Sequence, residues 1–224
     1  MESKQDTVIS GELLSQKALT DDVRQLATLL EESHPDPYIN LGGKVAFQRR
    51  VHEILRSIPE TGLTRKAFLK LIRPFVASLK DGHTGIRNSA DYSGETRTLW
   101  LRFGVAGEQL YVKGVYREED VPLLGQKLIS VDGVPFDELT RRAGQFKGFD
   151  NIYQNLFNLS GFLTFPPAME ILLGHEISTG SVRVEVSRDA TGTQTVSIPL
   201  AAKPAGKLLE PETSIALPEP NAAD

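Results

Sequence analysis

The sequence predicts an α+β protein in which a bundle of three helices precedes a β-rich region. In the first part of the chain, apolar residues recur at spacings of three and four, which is typical of amphipathic helices that pack on one face. After Asp81 the pattern changes to short stretches in which apolar and polar residues alternate, as in half-buried strands. A second helical stretch near residues 137–175 interrupts these predicted strands.

The three predicted helices follow one another before Asp81. Thr20 is the predicted N-cap of the first, because two aspartates follow it and suit the positive end of the helix dipole. The H-P-D-P segment at residues 34–37 ends this helix, since proline has no amide hydrogen to donate. The second helix is predicted over residues 44–58, and the third begins at a Thr64 cap. Short connections between such helices favour a bundle.

The β-rich region follows in short segments. Strands are predicted around residues 99–103, 110–112, 127–131, 182–186 and 196–200. Asp132-Gly133 predicts a tight turn between two apolar segments. Pro166-Pro167 interrupts the inserted helical stretch, and the proline-rich residues 203–224 are predicted to form a linker or a frayed tail.

Composition excludes several classes of function. The 224 residues suffice for one large or two small domains, and their formal net charge of −4 makes a nucleic-acid partner unexpected. The absence of cysteine excludes disulfides, thiolate metal sites and a cysteine nucleophile. Residues 1–6 are polar with no apolar run behind them, so no signal peptide is predicted. No run reaches the roughly 18 apolar residues of a membrane-spanning helix.

The segment Asp81-Gly82-His83-Thr84-Gly85 is the strongest candidate for chemistry. His83 lies where a helix gives way to extended chain, so its backbone is held while its ring can face a cleft, as a general base requires. The alternative is an Asp-Gly turn that merely precedes a histidine. His34 and His175 lie at predicted helix ends, and His52 lies on a solvated helix face. No pair of histidines has metal-ligand spacing, so neither a metal nor a cofactor is predicted.

A serine nucleophile is not evident in the sequence. Ser93-Gly94 and Ser160-Gly161 are the serines in glycine-containing contexts, and neither shows the surroundings of a nucleophile elbow. Both are predicted to be turn serines.

The order of four segments resembles a known family. These are H-P-D-P-Y at 34–38, T-x-x-x-F at 64–68, S-L-K-D-G-H-T at 78–84 and G-Q-K-L-I-S-V-D-G-V-P at 125–135. Together they resemble the amino-terminal half of S41 serine peptidases, the C-terminal-processing and tricorn-core-like group. The resemblance covers about residues 19–200.

The resemblance implies a domain plan. Its segments are an extended or disordered N-terminus (1–18), a helical cap domain (19–88), a permuted PDZ-like domain with the helical insertion (97–202) and a linker toward a catalytic domain (203–224). It implies that His83 is the general base and that the serine nucleophile lies in a further domain. The chain alone is therefore expected to be inactive. No carboxylate-binding loop is recognisable before Leu99-Trp100-Leu101, which puts capture of a free C-terminus in doubt.

Two functional hypotheses follow. The first is the N-terminal and PDZ-like portion of an S41-type serine endopeptidase that acts on peptides or unfolded proteins, with an extracytoplasmic location implied by the resemblance. The second is a free-standing, non-catalytic module that binds peptides or serves as a scaffold. A ligand carrier is a third hypothesis, because repeats in eye retinoid-carrier proteins resemble the same family. No residue in the sequence specifically favours it.

Overall fold

The computed structural model describes residues 12–86, 95–189, 192–204 and 206–211, and it has the predicted α+β class. The described residues fall into two compact units. One consists of residues 12–86 with Gly144–Asn155, and the other of residues 95–143 with the described chain from Leu156 onward.

The first unit is mainly helical. Its elements are β1 (Leu13–Leu14), α1 (Gln16–Ser33), α2 (Lys44–Ser57), β2 (Leu63–Thr64) and α3 (Arg65–Ala77). The prediction that Thr20 caps α1 is wrong, because the helix begins earlier, where the Ser15 side chain accepts a hydrogen bond from the Ala18 amide (3.2 Å). The Thr64 cap is confirmed, since its hydroxyl accepts from the Ala67 amide at 3.3 Å.

The apolar faces of α1, α2 and α3 share one core. Phe47 of α2 is fully buried there and contacts two other aromatic rings. Its centroid lies 5.5 Å from that of Tyr38 in an edge-on arrangement and 5.2 Å from that of Phe75. Such contacts add to the free energy gained by burying the rings.

The second unit contains an antiparallel sheet. Its strands are β3 (Arg97–Leu99), β4 (Leu101–Ala106), β5 (Gln109–Val115), β6 (Lys127–Val131), β7 (Val134–Pro135), β8 (Ser181–Asp189) and β9 (Gly192–Ala202). The strand order is β3-β9-β8-β6-β5-β4, and β7 pairs with β6. Within the described ranges, β4 therefore has one edge with no partner strand. The predicted Asp132-Gly133 turn is confirmed, with φ of 46° and 80°.

Three helices lie between β7 and β8, where the sequence predicted an insertion. They are α4 (Phe136–Phe146), α5 (Ile152–Phe162) and α6 (Pro166–Leu173). The Arg142 guanidinium donates to the last carbonyls of α6, those of Leu172 (2.6 Å) and Leu173 (3.0 Å). No single helix in the described ranges is long and apolar enough to cross a membrane; α5 and α6 reach that length only together, and they are bent by 114°.

The first residues of the predicted linker lie along the sheet. Leu209 and Val115 of β5 exchange two backbone hydrogen bonds, of 3.0 Å and 2.8 Å. A Cβ added at Gly114 would lie 3.0 Å from the Leu208 side chain, so the two segments are in close contact. The rest of the predicted linker, residues 205 and 212–224, lies outside the described residues.

Candidate active site

The Asp81-Gly82-His83-Thr84 segment follows shortly after the end of α3. The Ser78 amide donates to the Pro74 and Phe75 carbonyls at the end of the helix. Lys80 then has a φ of 51°, in the left-handed region that non-glycine residues rarely adopt. The chain turns sharply there, and Asn40 fixes the turn by donating from Nδ2 to the Leu79 carbonyl at 2.7 Å.

Asp81 is the centre of the cluster that follows. Its Oδ2 accepts a 2.5 Å hydrogen bond from the Thr84 hydroxyl, and its Oδ1 accepts from the His83 amide at 2.8 Å. The Thr84 hydrogen bond is the main reason that the pKa of Asp81 lies below its usual range. The His83 amide and the neighbouring His34 and His83 rings act in the same direction, while burial opposes them. Asp81 is thus a carboxylate at neutral pH.

His83 combines a fixed backbone with an accessible ring. Its side chain is 90% exposed, and its Nδ1 lies 3.5 Å from Asp81 Oδ1. A carboxylate at this position favours a proton on Nδ1 and leaves Nε2 as the free base. The structure thus places the predicted site residue beside an acidic partner that the same short segment supplies.

His34 approaches Asp81 from the end of α1. Its Nδ1 accepts a hydrogen bond from the Asp36 amide (3.2 Å), so the proton of the neutral ring lies on Nε2. This Nε2 is buried, lies 3.4 Å from Asp81 Oδ2, and has no aligned hydrogen-bond partner within the described ranges. His34 lies at the end of α1, as predicted; its backbone amide donates to the Leu30 carbonyl at 3.1 Å, and its ring faces Asp81.

Asp150 reaches the same cluster from the segment before α5. Its Oδ1 accepts a 2.9 Å hydrogen bond from the Gly82 amide, and its own amide donates to Gln154 Oε1 at 2.6 Å. One ligand atom each from Asp81, His83 and Asp150 lie within 4.8 Å of one another. Asp150 could not be predicted from the sequence, because no local pattern indicates a contact between residues so far apart in the chain.

Gly82 allows a close contact with a second segment. Its φ lies outside the left-handed region, which Lys80 occupies instead. A Cβ on Gly82 would lie 2.0 Å from Gln154 Nε2, so the absence of a side chain leaves room for the Gln154 amide group.

The other candidate residues lie apart from this cluster. His52 is exposed on α2, and His175 Nε2 lies 3.6 Å from Asp132 Oδ2. Ser160 was expected in a turn but lies within α5, where its hydroxyl donates to the Phe157 carbonyl at 2.8 Å. Ser93 lies outside the described residues.

Comparisons with known proteins identify a similar fold. No family model and no curated protein matches the sequence. The structure is similar to mature CPAF, a chlamydial serine protease, both in its complex with lactacystin (TM-score 0.57, 17% identity) and without it (TM-score 0.57, 18% identity). Each match covers 84% of this chain and 35% of CPAF. A mutant of CPAF matches with a TM-score of 0.55 at 18% identity, over 84% of this chain and 34% of CPAF.

These matches, at 17% and 18% identity, show similarity of fold. The chain spans about a third of the length of CPAF, because each match covers 34% or 35% of that protein.

Proposed function

We propose that this chain is the N-terminal portion of a serine endopeptidase related to the S41 group, and that it contributes the general base His83 and a peptide-binding surface. The observation that carries the proposal is the exposed ring of His83 beside the Asp81 carboxylate, in a chain whose fold is similar to part of a serine protease. In this proposal α1, α2 and α3 belong to the cap domain of residues 19–88.

The chemistry assigned to His83 is removal of a proton from a serine hydroxyl. Asp81 orients the ring, holds the proton on Nδ1 and stabilises the imidazolium that forms when Nε2 takes up the serine proton. The Nδ1–Oδ1 distance of 3.5 Å is long for a hydrogen bond, as is common in a site without substrate. No serine hydroxyl in the described ranges forms a hydrogen bond with the His83 ring. We therefore expect the nucleophile to come from another part of the complete protein and this chain alone to be inactive.

The peptide-binding surface in this proposal is the free edge of β4, within a permuted PDZ-like domain of residues 97–202. An extended peptide would add to this edge as a further antiparallel strand and bond to its backbone groups. The Leu99 and Trp100 amides, which precede β4, donate to the carbonyls of Thr164 (3.4 Å) and Pro199 (3.0 Å). Because these two amides are occupied, we expect an internal peptide segment as ligand, and not a terminal carboxylate.

The catalytic part of the proposal is tested in the complete protein. Peptide hydrolysis by a His83→Ala variant should fall by at least about 100-fold, the usual minimum contribution of a general base. His52→Ala is the matched control, because it removes an exposed histidine from α2 in the same unit. If His83→Ala hydrolyses peptides at the parent rate, the catalytic role is wrong.

The free-standing binding module is the alternative. The open edge of β4 supports it as well, since strand addition needs no catalytic group. Calorimetry of the 224-residue chain with extended peptides measures binding without hydrolysis. Peptide binding with no hydrolysis by the parent protein would favour the module, whereas hydrolysis that the His83→Ala substitution abolishes would favour the peptidase.

A further inference from the structure

The cluster around Asp81 holds one more acidic group than a general base needs. A histidine base requires one orienting carboxylate, and Asp81 supplies it. Asp150 brings a second carboxylate, anchored through the Gly82 amide, so that its ligand atom lies within 4.8 Å of those of Asp81 and His83. One imidazole nitrogen and two carboxylate oxygens form the kind of ligand set that proteins use for Zn²⁺.

We propose that Asp81, His83 and Asp150 form a binding site for a divalent transition-metal ion, with Zn²⁺ as the ion that suits these ligands. The three ligand atoms must approach one another further, because atoms bound to one tetrahedral Zn²⁺ at about 2.1 Å lie roughly 3.4 Å apart. One pair, His83 Nδ1 and Asp81 Oδ1, is already at 3.5 Å. The His83 side chain is 90% exposed and is free to rotate toward the carboxylates.

The surroundings of Asp81 give independent support. Behind it lies the buried Nε2–H of His34, 3.4 Å from Oδ2 and without a hydrogen-bond partner in the described part of the chain. The His34 side chain is only 11% exposed, so this N–H group has little access to water and lies next to the carboxylate. Metal-binding carboxylates are typically held by such outer donors, which orient the oxygens toward the ion. Thr84 adds a second donor to the same oxygen.

Occupation of this site would remove the base proposed above. Zn²⁺ on Nδ1 would displace the ring proton to Nε2, and Nε2 could then no longer accept the serine proton. A bound ion would therefore inhibit hydrolysis reversibly. This regulatory consequence rests on the proposed function, whereas the metal site itself does not. A chelator would restore the activity, and the site would leave its fourth coordination position to water or to a peptide group.

The test is a titration of the 224-residue chain with Zn²⁺ alone, in the absence of peptide. Binding is measured by calorimetry and, separately, by competition with a chromophoric chelator. We expect one ion per chain, and affinity at least about tenfold lower in both His83→Ala and Asp150→Asn. Asparagine at 150 retains an oxygen that can accept from the Gly82 amide, so the second variant removes charge and preserves this contact. His52→Ala should bind as the parent does.

Zn²⁺ binding of equal affinity in the parent and His83→Ala, or a parent dissociation constant weaker than about 1 mM, would overturn the proposal. Circular dichroism of each variant confirms that the fold is retained. Failure of the metal site and failure of the proposed function are distinguishable. Zn²⁺ binding is measured here without any substrate, and the catalytic role of His83 is measured in the complete protein without added metal.

Discussion

A methyl group at Gly148 tests whether the 148–154 segment sets the position of Asp81. A Cβ at this glycine would lie 2.6 Å from the Asp81 carbonyl oxygen and 3.2 Å from its amide nitrogen. Ordinary contact begins at 3.4 Å, so the two segments must separate by about 0.8 Å (3.4 − 2.6). The obstacle is backbone, which cannot rotate away as a side chain would. Gly148→Ala should therefore displace the segment that carries Asp81 and His83.

The expected loss of stability in Gly148→Ala follows from the rigidity of this contact. Overpacking of a close contact typically destabilises a protein by about 1–3 kcal/mol. For a chain of this size, a loss of about 2 kcal/mol lowers the Tm by about 4–8 °C. The measurement is thermal unfolding followed by circular dichroism, together with the amide nuclear magnetic resonance shifts of Gly82 and His83. The shifts report whether the displacement reaches the site.

The matched control is Gly161→Ala in α5. No atom lies within 4 Å of the position that a Cβ would take there, and alanine is the better helix former. This variant should be unchanged or more stable by up to about 1 kcal/mol. If Gly148→Ala has the Tm of the parent and unaltered amide shifts at Gly82 and His83, the contact does not position Asp81 and the reasoning is wrong.

Two further predictions concern α4. Arg142→Ala should destabilise the chain by about 2 kcal/mol in urea unfolding, because it removes charged hydrogen bonds to the Leu172 and Leu173 carbonyls. An equal effect of Arg141→Ala, whose side chain is 56% exposed, would contradict this. Hydrogen bonds from Arg141 and Arg142 lower the pKa of Glu138 to about 2 from 4.5. Since the folded-state pKa is depressed, this contribution to stability is complete above pH 4.5 and is lost as the pH falls toward 2. Glu138→Gln should flatten the decline in Tm over that interval, and an unchanged decline would refute the assignment.

The helices and the main turn could be predicted from the sequence, because local residues determine them. The predicted range of α2, residues 44–58, agrees with the observed Lys44–Ser57 to within one residue, and α3 begins directly after its predicted Thr64 cap. Asp132 and Gly133 adopt the left-handed conformations of a tight turn. The start of α1 was missed because Ser15 and Thr20 are both good caps, and the pattern of apolar residues does not choose between them.

The composition of the site was only partly predictable. His83 and Asp81 lie in one short motif, so their proximity follows from the sequence. Asp150 joins them because the chain returns to the first unit at Gly144–Asn155 after passing through the sheet. The orientation of His34 depends on tertiary packing in the same way, since its ring faces Asp81 from the end of a different helix. Periodicity describes which face of an element is buried, and it contains no information about such long-range contacts.

The backbone conformation of Lys80 indicates that the segment around Asp81 does more than connect α3 to the next element. A non-glycine residue in the left-handed region costs about 1–2 kcal/mol, which a glycine at the same position would avoid. The conformation persists because the surroundings fix both sides of it: Asn40 holds the Leu79 carbonyl, and Asp150 holds the Gly82 amide. These contacts come from different parts of the chain and converge on the residues that flank Asp81. Such over-determined strain concentrates at functional sites, and here it directs the Asp81 carboxylate and the His83 ring toward each other.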